Sequence, residues 1–253
     1  MLIGMVHLLP LPGSPFYNGD LDMIENRALQ DAKNIEKAGF DAIIIENYGD
    51  QPFLINEIPL ESLVAMAKIV SRITEKIKLK VGINIEFNAW KEELIMAKIM
   101  EADFIRLEVF NEFRLHESGL VFPSIAEFLR ARKILNAESV KIFVDINVKN
   151  TFPIIKFDEN KVLNTIDKYA DAIIYTGSKT GEPPKINDIK KLKEKILKPL
   201  YIGSGVNENN ITGFLQIADG VIVGTAIKEE NKTENPVSLE KAQKLVKLVK
   251  QKL

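Results

Sequence analysis

Acids, amides and cations fall at every second position in three short stretches of this chain. Gly82, Asn84 and Glu86 alternate with Val81, Ile83 and Ile85; Arg106 and Glu108 alternate with Ile105, Leu107 and Val109; Asp145, Asn147 and Lys149 alternate with Val144, Ile146 and Val148. A period of two belongs to a strand with one apolar and one polar face. Carboxylates beside cations can move protons: Asp145 is the first choice for a general base, with Lys149 as its electrostatic partner or as a Schiff-base amine. Glu46 and Glu86 are further acid/base groups, and Asn47, Asn84 and Asn147 suit the orientation of hydroxyls. His7 closes an apolar run and reads either as an acid/base group or as a structural strand-end histidine; His116, in a polar loop, is expected to face solvent. Glu46, Asp50, Glu86 and Asp145 are the carboxylates open to Mg²⁺ if they converge. With two histidines and no HExxH, no metal site is assigned.

Glycine turns supply a second kind of chemistry. They are TGSKTG (Thr176–Gly181), GSGV (Gly203–Val206) and VGTAI (Val223–Ile227). A glycine after a strand lets backbone amides approach an anion. Gly177, Gly203, Ser204, Gly205, Gly224 and Thr225 are therefore candidates to hold a phosphate, with Thr176 beside them. Glu208 stands at the third position of a would-be GxGxxG, and neither GxxxxGK[ST] nor GxSxG is completed. Dinucleotide, P-loop and nucleophile-elbow readings lose support.

The elements that must position these residues alternate along the chain. Strands are expected at Leu2–His7, Asp41–Glu46, Lys80–Glu86, Asp103–Val109, Lys141–Val148, Asp171–Thr176, Pro199–Gly203 and Asp219–Val223. Helices are expected at Asp22–Ala38, Leu60–Lys76, Ala89–Met100, from near Pro123, Glu159–Tyr169, Asn187–Lys195, Asn207–Ile217 and Leu239–Leu253. Eight such units predict an α/β fold, a single (β/α)8 TIM barrel over residues 1–253. Both faces of a parallel barrel strand are covered, so the apolar parity suits the helix layer and the polar parity points inward. Glu46, Glu86, Glu108 and Asp145 would then meet Arg106 and Lys149, either around a site at the strand C-terminal ends or in a purely structural ion-pair network. Phosphate sites in such barrels use the loops after strands seven and eight, where the GSGV and VGTAI turns fall.

Composition narrows the partners. Thirty-four Lys and Arg against 35 Asp and Glu leave a net charge of −1, which gives no general attraction to nucleic acid or membranes. The lysines of the last helix (Lys241, Lys244, Lys247, Lys250, Lys252) read as a solvated face. The absence of cysteine excludes disulfides and thiol catalysis. The start MLIGMVHLLPLPG lacks a basic n-region and is broken by Pro10 and Pro12, so a signal peptide is not expected. A cytoplasmic homo-oligomer without a membrane span is the expectation.

The segments GMVHLLPLPGSP, DAIIIENYGDQPF, FIRLEVF, VDINVKN, DAIIYTGSKTG, IGSGVNENN and ADGVIVGTAIK occur in this order between Gly4 and Lys228. In that combination the chain resembles the BtpA family, known also through SgcQ-like proteins. The resemblance implies a barrel of the ribulose-phosphate-binding group. It implies no general reaction: some relatives are linked to photosystem I accumulation, others to sugar-metabolism gene clusters. The chain departs from the family where a substrate would be held. INIEFNAW (Ile83–Trp90) replaces a VxVLRND-like third strand, and Asn150 replaces the His of a VKH run. The expected function is an enzyme acting on a small phosphorylated metabolite, such as a sugar or ribosyl phosphate, by acid/base chemistry. The alternative is a ligand-binding or complex-assembly factor without turnover.

Overall fold

A computed structural model describes residues 1–155, 158–177 and 183–252. Ser178–Gly181, most of the TGSKTG turn, lie outside them. Eight parallel strands close into a barrel in sequence order: β1 (Leu2–His7), β2 (Ala42–Glu46), β3 (Lys80–Asn84), β4 (Phe104–Leu107), β5 (Lys141–Ile146), β6 (Ala172–Tyr175), β7 (Leu200–Ile202) and β8 (Gly220–Val223). Closure pairs Leu2 with Val221 and Gly4 with Val223. Around the outside run α1 (Leu21–Ala38), α2 (Leu60–Thr74), α3 (Trp90–Ile99), α4 (Ile125–Ile134), α5 (Glu159–Tyr169), α6 (Ile186–Lys193), α7 (Ile211–Leu215) and α8 (Leu239–Lys252). Asp20 caps α1 by accepting the Met23 amide at 2.8 Å, and Gly39, at φ 93°, ends it in the left-handed region.

The lower end of the barrel is pinned by a repeated device. An aspartate stands just before each even-numbered strand and accepts the amide of the preceding odd-numbered strand. The contacts are Asp41 to Leu2 (2.6 Å), Asp103 to Val81 (2.8 Å), Asp171 to Ile142 (2.9 Å) and Asp219 to Leu200 (2.8 Å). Each aspartate's own amide returns a bond to a carbonyl of the same neighbour, at 2.8 to 2.9 Å. This end is satisfied and structural.

Strand parity divides the core in two. Ile43, Ile45, Val81, Ile83, Ile105, Leu107, Val144 and Ile146 join the helix layer in one cluster. Ile3, Met5, Ile44, Phe104, Phe143, Ile174, Tyr201 and Ile222 form a separate plug inside the barrel. Phe104 and Phe143 stack at 4.5 Å, and Gly82 makes the room, since a Cβ there would lie 2.3 Å from the Phe104 ring. Above this plug the inward side chains become polar, as the alternation predicts.

Three expectations change. Strands three to five end at Asn84, Leu107 and Ile146, the fifth because a left-handed turn at Asn147 (φ 53°) interrupts the extended chain. Val109 and Val148 therefore leave the helix layer and pack with Phe53, Phe87 and Val121 above the barrel. The seventh helix shrinks to five residues: the Asn210 side chain accepts the Asn207 amide at 2.8 Å and that of Asn207 accepts Asn209 at 2.9 Å, folding Asn207–Asn210 as a turn. A small antiparallel sheet was not foreseen. Its strands, Arg114–His116, Gly119–Val121 and Phe152–Pro153, come from the loops after β4 and β5 and cap the mouth. Among the described residues no helix is long and apolar enough to cross a membrane.

Candidate functional site

Arg106, on the inward parity of β4, is buried at the centre of the polar layer. Its Nε and Nη2 donate to the two oxygens of Asp145 at 3.0 and 2.9 Å, and Nη1 reaches Glu46 at 3.5 Å. Burial acts against its charge, but Asp145 and Glu46 outweigh that and hold the guanidinium ionised. Asp145 is itself buried, with both oxygens on the guanidinium. Both oxygens of the carboxylate expected to act as general base are thus engaged by Arg106 in a bidentate ion pair.

The other predicted residues separate into three groups. The first faces a recess of about 60 Å³, lined by His7, Glu46, Tyr48, Arg106, Lys149, Gly203–Val206, Gly224, Thr225, Ala226 and Thr233. The two glycine loops expected to hold phosphate thus meet at one place. A Cβ on Gly224 would lie 2.8 Å from His7 Cε1, and one on Gly203 would lie 2.5 Å from Ile174 Cγ2, so both positions need glycine. Thr225 Oγ1 hydrogen-bonds Thr233 Oγ1 at 2.8 Å across the rim. The second group faces an adjoining cleft of about 360 Å³. It holds Glu86, Glu108, Phe87, His116 and Asn150 and shares Tyr48, Arg106 and Lys149 with the recess.

The third group lies elsewhere. The Asn47 side chain bridges the Asp50 carboxylate (3.1 Å) and the Glu86 amide (2.7 Å), while Asp50 accepts the Leu11 amide at 2.7 Å; both hold loops together. Asn84 donates to Glu108 and leaves its own oxygen without a partner. Asn147 does not follow the inward parity. Its left-handed backbone exposes it, and its side-chain oxygen accepts from Arg114 at 3.0 Å beside a separate crevice between β5, α5 and α6. Thr176 is buried with an unpartnered hydroxyl and Gly177 is buried next to it, both outside the recess lining. Glu46, Asp50, Glu86 and Asp145 do not gather into a metal ligand set among the described residues.

Electrostatics follow from burial. Desolvation, with the nearby charges of Lys228, Lys149 and Arg106, holds His7 well below the ordinary histidine range. His7 Nε2 lies 3.7 Å from Glu46, but a neutral imidazole makes no ion pair, so the contact is polar rather than ionic. Burial raises Glu46 against the pull of Arg106 and Lys149. Burial and the neighbouring Glu46 push Glu86 up to about 8. Glu108 is held well above the carboxylate range by burial and Glu86, although it accepts the Asn88 amide at 3.0 Å. Glu93, on the outer side, is raised by burial and Glu108 while accepting the amides of Arg106 (2.9 Å) and Ile85 (3.2 Å). The mouth therefore combines a fixed cation, a half-buried lysine and glutamates displaced upward by burial, Glu86 to about 8.

The family model for the BtpA family matches residues 1–251. The chain belongs to the BtpA family. Its BtpA-family relatives include an uncharacterised protein of Methanocaldococcus jannaschii, 39% identical over 98% of this chain and 94% of that one. The photosystem I biogenesis protein BtpA of Synechocystis is 37% identical over 90% of this chain and 80% of its own. Among solved structures, the barrel is similar to a thiamine phosphate pyrophosphorylase from Pyrococcus furiosus, with TM-score 0.60, 14% identity and coverage of 100% and 96%. It is also similar to an N-(5'-phosphoribosyl)anthranilate isomerase from Pyrococcus furiosus, with TM-score 0.60, 13% identity and coverage of 99% and 98%. At these identities the structural likeness speaks for the fold, an eight-stranded TIM barrel.

Two residues of this BtpA-family mouth escaped sequence reasoning. Tyr48 borders both cavities and stands two residues after Glu46, just beyond the strand end, so the period of two that selected Glu46 extends to it. His116 is not solvent-facing: it is buried, stacks on Phe87 at 4.3 Å and lines the cleft. No local signal marks it, because its place depends on the small cap sheet.

Proposed function

We propose that this chain is an enzyme acting on a small phosphorylated metabolite, of sugar- or ribosyl-phosphate type, by acid/base chemistry at the barrel mouth. One observation carries the reading: a recess of about 60 Å³ between the Gly203–Gly205 and Gly224–Thr225 loops opens beside a cleft of about 360 Å³ that holds Glu86, with Arg106 and Lys149 common to both. The recess suits a phosphate-sized anion: the two glycine loops border it, and Lys149 lines it beside the Asp145-paired Arg106. The cleft then takes the remainder of the ligand. Glu86, whose carboxyl is raised to about 8, carries its proton at neutral pH and donates it to a carbonyl or a leaving hydroxyl. Glu46, on the recess side, is the second acid/base group, and neutral His7 offers a hydrogen bond without charge. Lys149 balances the phosphate. The names of two structural neighbours, a thiamine phosphate pyrophosphorylase and a phosphoribosylanthranilate isomerase, fit a scaffold used on phosphorylated compounds.

A second reading, a binding or assembly factor without turnover, is favoured by the name of the Synechocystis relative and by the closed Arg106–Asp145 pair beneath the mouth. Incubation with a metabolite pool, followed by mass spectrometry, separates the two. Loss of one compound with wild type but not with Glu86→Gln supports the enzyme; retention without conversion supports the binder. If nothing is converted or retained, and millimolar inorganic phosphate does not raise the melting temperature, the phosphate reading falls.

A further inference from the structure

The loop after β8 folds back on itself beside the recess. Lys228 bridges to Val237, the Glu229 amide donates to the Pro236 carbonyl at 2.8 Å, and the Ser238 amide donates to the Ile227 carbonyl at 2.8 Å. One face of α1 grips this loop at positions i, i+4 and i+7. Arg27 donates to the Glu234 carbonyl at 3.2 Å, Asp31 accepts the Val237 amide at 2.7 Å, and Asn34 donates to the Val237 carbonyl at 2.9 Å. Thr233, within the loop, lines the recess, and its hydroxyl shares hydrogen bonds with Thr225 at 2.8 Å and with Tyr48. Lys228 secures the loop from inside. It is fully buried, its ammonium donates to Asp31 at 3.1 Å, and its carbonyl accepts from the Lys241 ammonium at 3.0 Å.

We propose that Lys228 is a positioning residue for the anion recess: seated on Asp31, it holds the wall formed by residues 224–233 and sets a positive charge behind it. The inference rests on the phosphate reading of that recess. Two observations carry it. Lys228 follows the Thr225–Ile227 turn directly, so the backbone that it anchors is the backbone that borders the recess. Its charge also reaches the lining groups: it stands first among the cations that lower His7, before Lys149 and Arg106, and it lowers Glu46 as well. His7 is faced besides by Glu46 at 3.7 Å and by the Tyr48 ring at 5.0 Å. Lys228, not Asp31, is the member of the pair that acts on His7, so the pair turns its positive end to the recess. Stability alone is a weak reason for such a pair, because desolvating two charges offsets most of their attraction. A buried cation, by contrast, acts on a nearby anion with little screening. Lys228 lines neither cavity, so it supplies that charge without taking the space of a ligand.

Calorimetric titration of the full chain with inorganic phosphate, alongside urea denaturation, tests this on Lys228→Met/Asp31→Asn. The double variant removes both charges and keeps an acceptor for the Val237 amide. Its urea midpoint is expected to stay near that of the wild type, while its phosphate dissociation constant rises at least about 10-fold. His7, followed by NMR and assigned with His116→Gln, is expected to take up its proton at least about 0.5 pH unit higher than in wild type. With the urea midpoint unchanged, a purely structural pair would not produce that shift. Thr233→Val removes the loop's bonds to Thr225 and Tyr48 and is also expected to weaken phosphate binding, which decides the case should the double variant fail to fold. Phosphate bound equally by wild type and both variants would overturn the inference and leave the phosphate reading standing; phosphate bound by none of the three would overturn both. A lowered urea midpoint with unchanged phosphate affinity and an unmoved His7 would make the pair structural only, and the inference would fall.

Discussion

Replacing Glu86 by Gln should stabilise the protein at alkaline pH and change little at acid pH. In the folded chain the carboxyl is raised to about 8 by burial and by Glu46, against an ordinary value of 4.5. Below pH 4.5 the group is protonated in both folded and unfolded states and contributes nothing to the pH dependence. Between 4.5 and about 8 only the folded state holds the proton, so stability falls as pH rises and the loss is complete above about 8. At about 1.4 kcal/mol for each pH unit, this interval gives an upper bound of about 5 kcal/mol. Glu86 is half-buried and borders a water-accessible cleft, which screens its charge; about 1–3 kcal/mol is the expected size. Glutamine keeps the shape and removes the ionisation. Urea denaturation of wild type and Glu86→Gln at pH 5 and pH 9 reads the difference directly, since the remaining carboxyls titrate in both proteins. A variant equally affected at the two pH values, or less stable than wild type at pH 9 alone, refutes the reasoning.

Asp145→Asn should destabilise the fold by about 3 kcal/mol, since it leaves the buried Arg106 with only the 3.5 Å contact to Glu46 among the described ion pairs. Turnover lost at unchanged urea midpoint would instead support a catalytic role for Asp145. Gly224→Ala drives a methyl to within 2.8 Å of His7 Cε1 and should abolish the rise in melting temperature caused by millimolar phosphate, whereas unchanged protection would place the anion elsewhere. Asp171→Ala, at the lower end, removes the 2.9 Å bond to the Ile142 amide and should cost about 1 kcal/mol in chemical denaturation with phosphate protection intact. Weakened phosphate protection there would mean that the two ends of the barrel are coupled.

How far the sequence carried the reading depends on the range of the interactions involved. The barrel was legible because each strand announces itself locally. The aspartates at 41, 103, 171 and 219 open the even strands, and the same four side chains pin their neighbours. The inward polar layer was legible for the same reason: Arg106 and Asp145 follow from period two. What alternation cannot supply is pairing. Two inward residues on neighbouring strands can be a base and its substrate-facing cation or an ion pair that satisfies itself, and only distance decides. Alternation also fails where the backbone leaves the extended region. Asn147 has the right parity on paper, yet φ 53° turns it out of the mouth. The cap sheet was invisible because its strands are too short to show a period, and its pairing joins Arg114 to Pro153 across a whole helix.

The charge of the mouth limits what it can receive. Arg106 and Asp145 neutralise one another, which leaves Lys149, among the described residues lining both cavities, as the cation acting on Glu46 and Glu86. With Glu46, Glu86 and Glu108 all ionised the region would repel a phosphate, and a glycine-lined recess would not compensate at such short range. Protons ease the conflict: each of these carboxyls is displaced upward, chiefly by burial, and Glu86, raised to about 8, is uncharged near neutrality, so the mouth is less negative than its composition. A phosphate dianion entering the recess adds charge beside Glu46 and favours the protonated carboxyls further. Anion binding and proton retention therefore support each other, and a bound phosphate would help keep a proton on Glu86, as the proposed acid role requires.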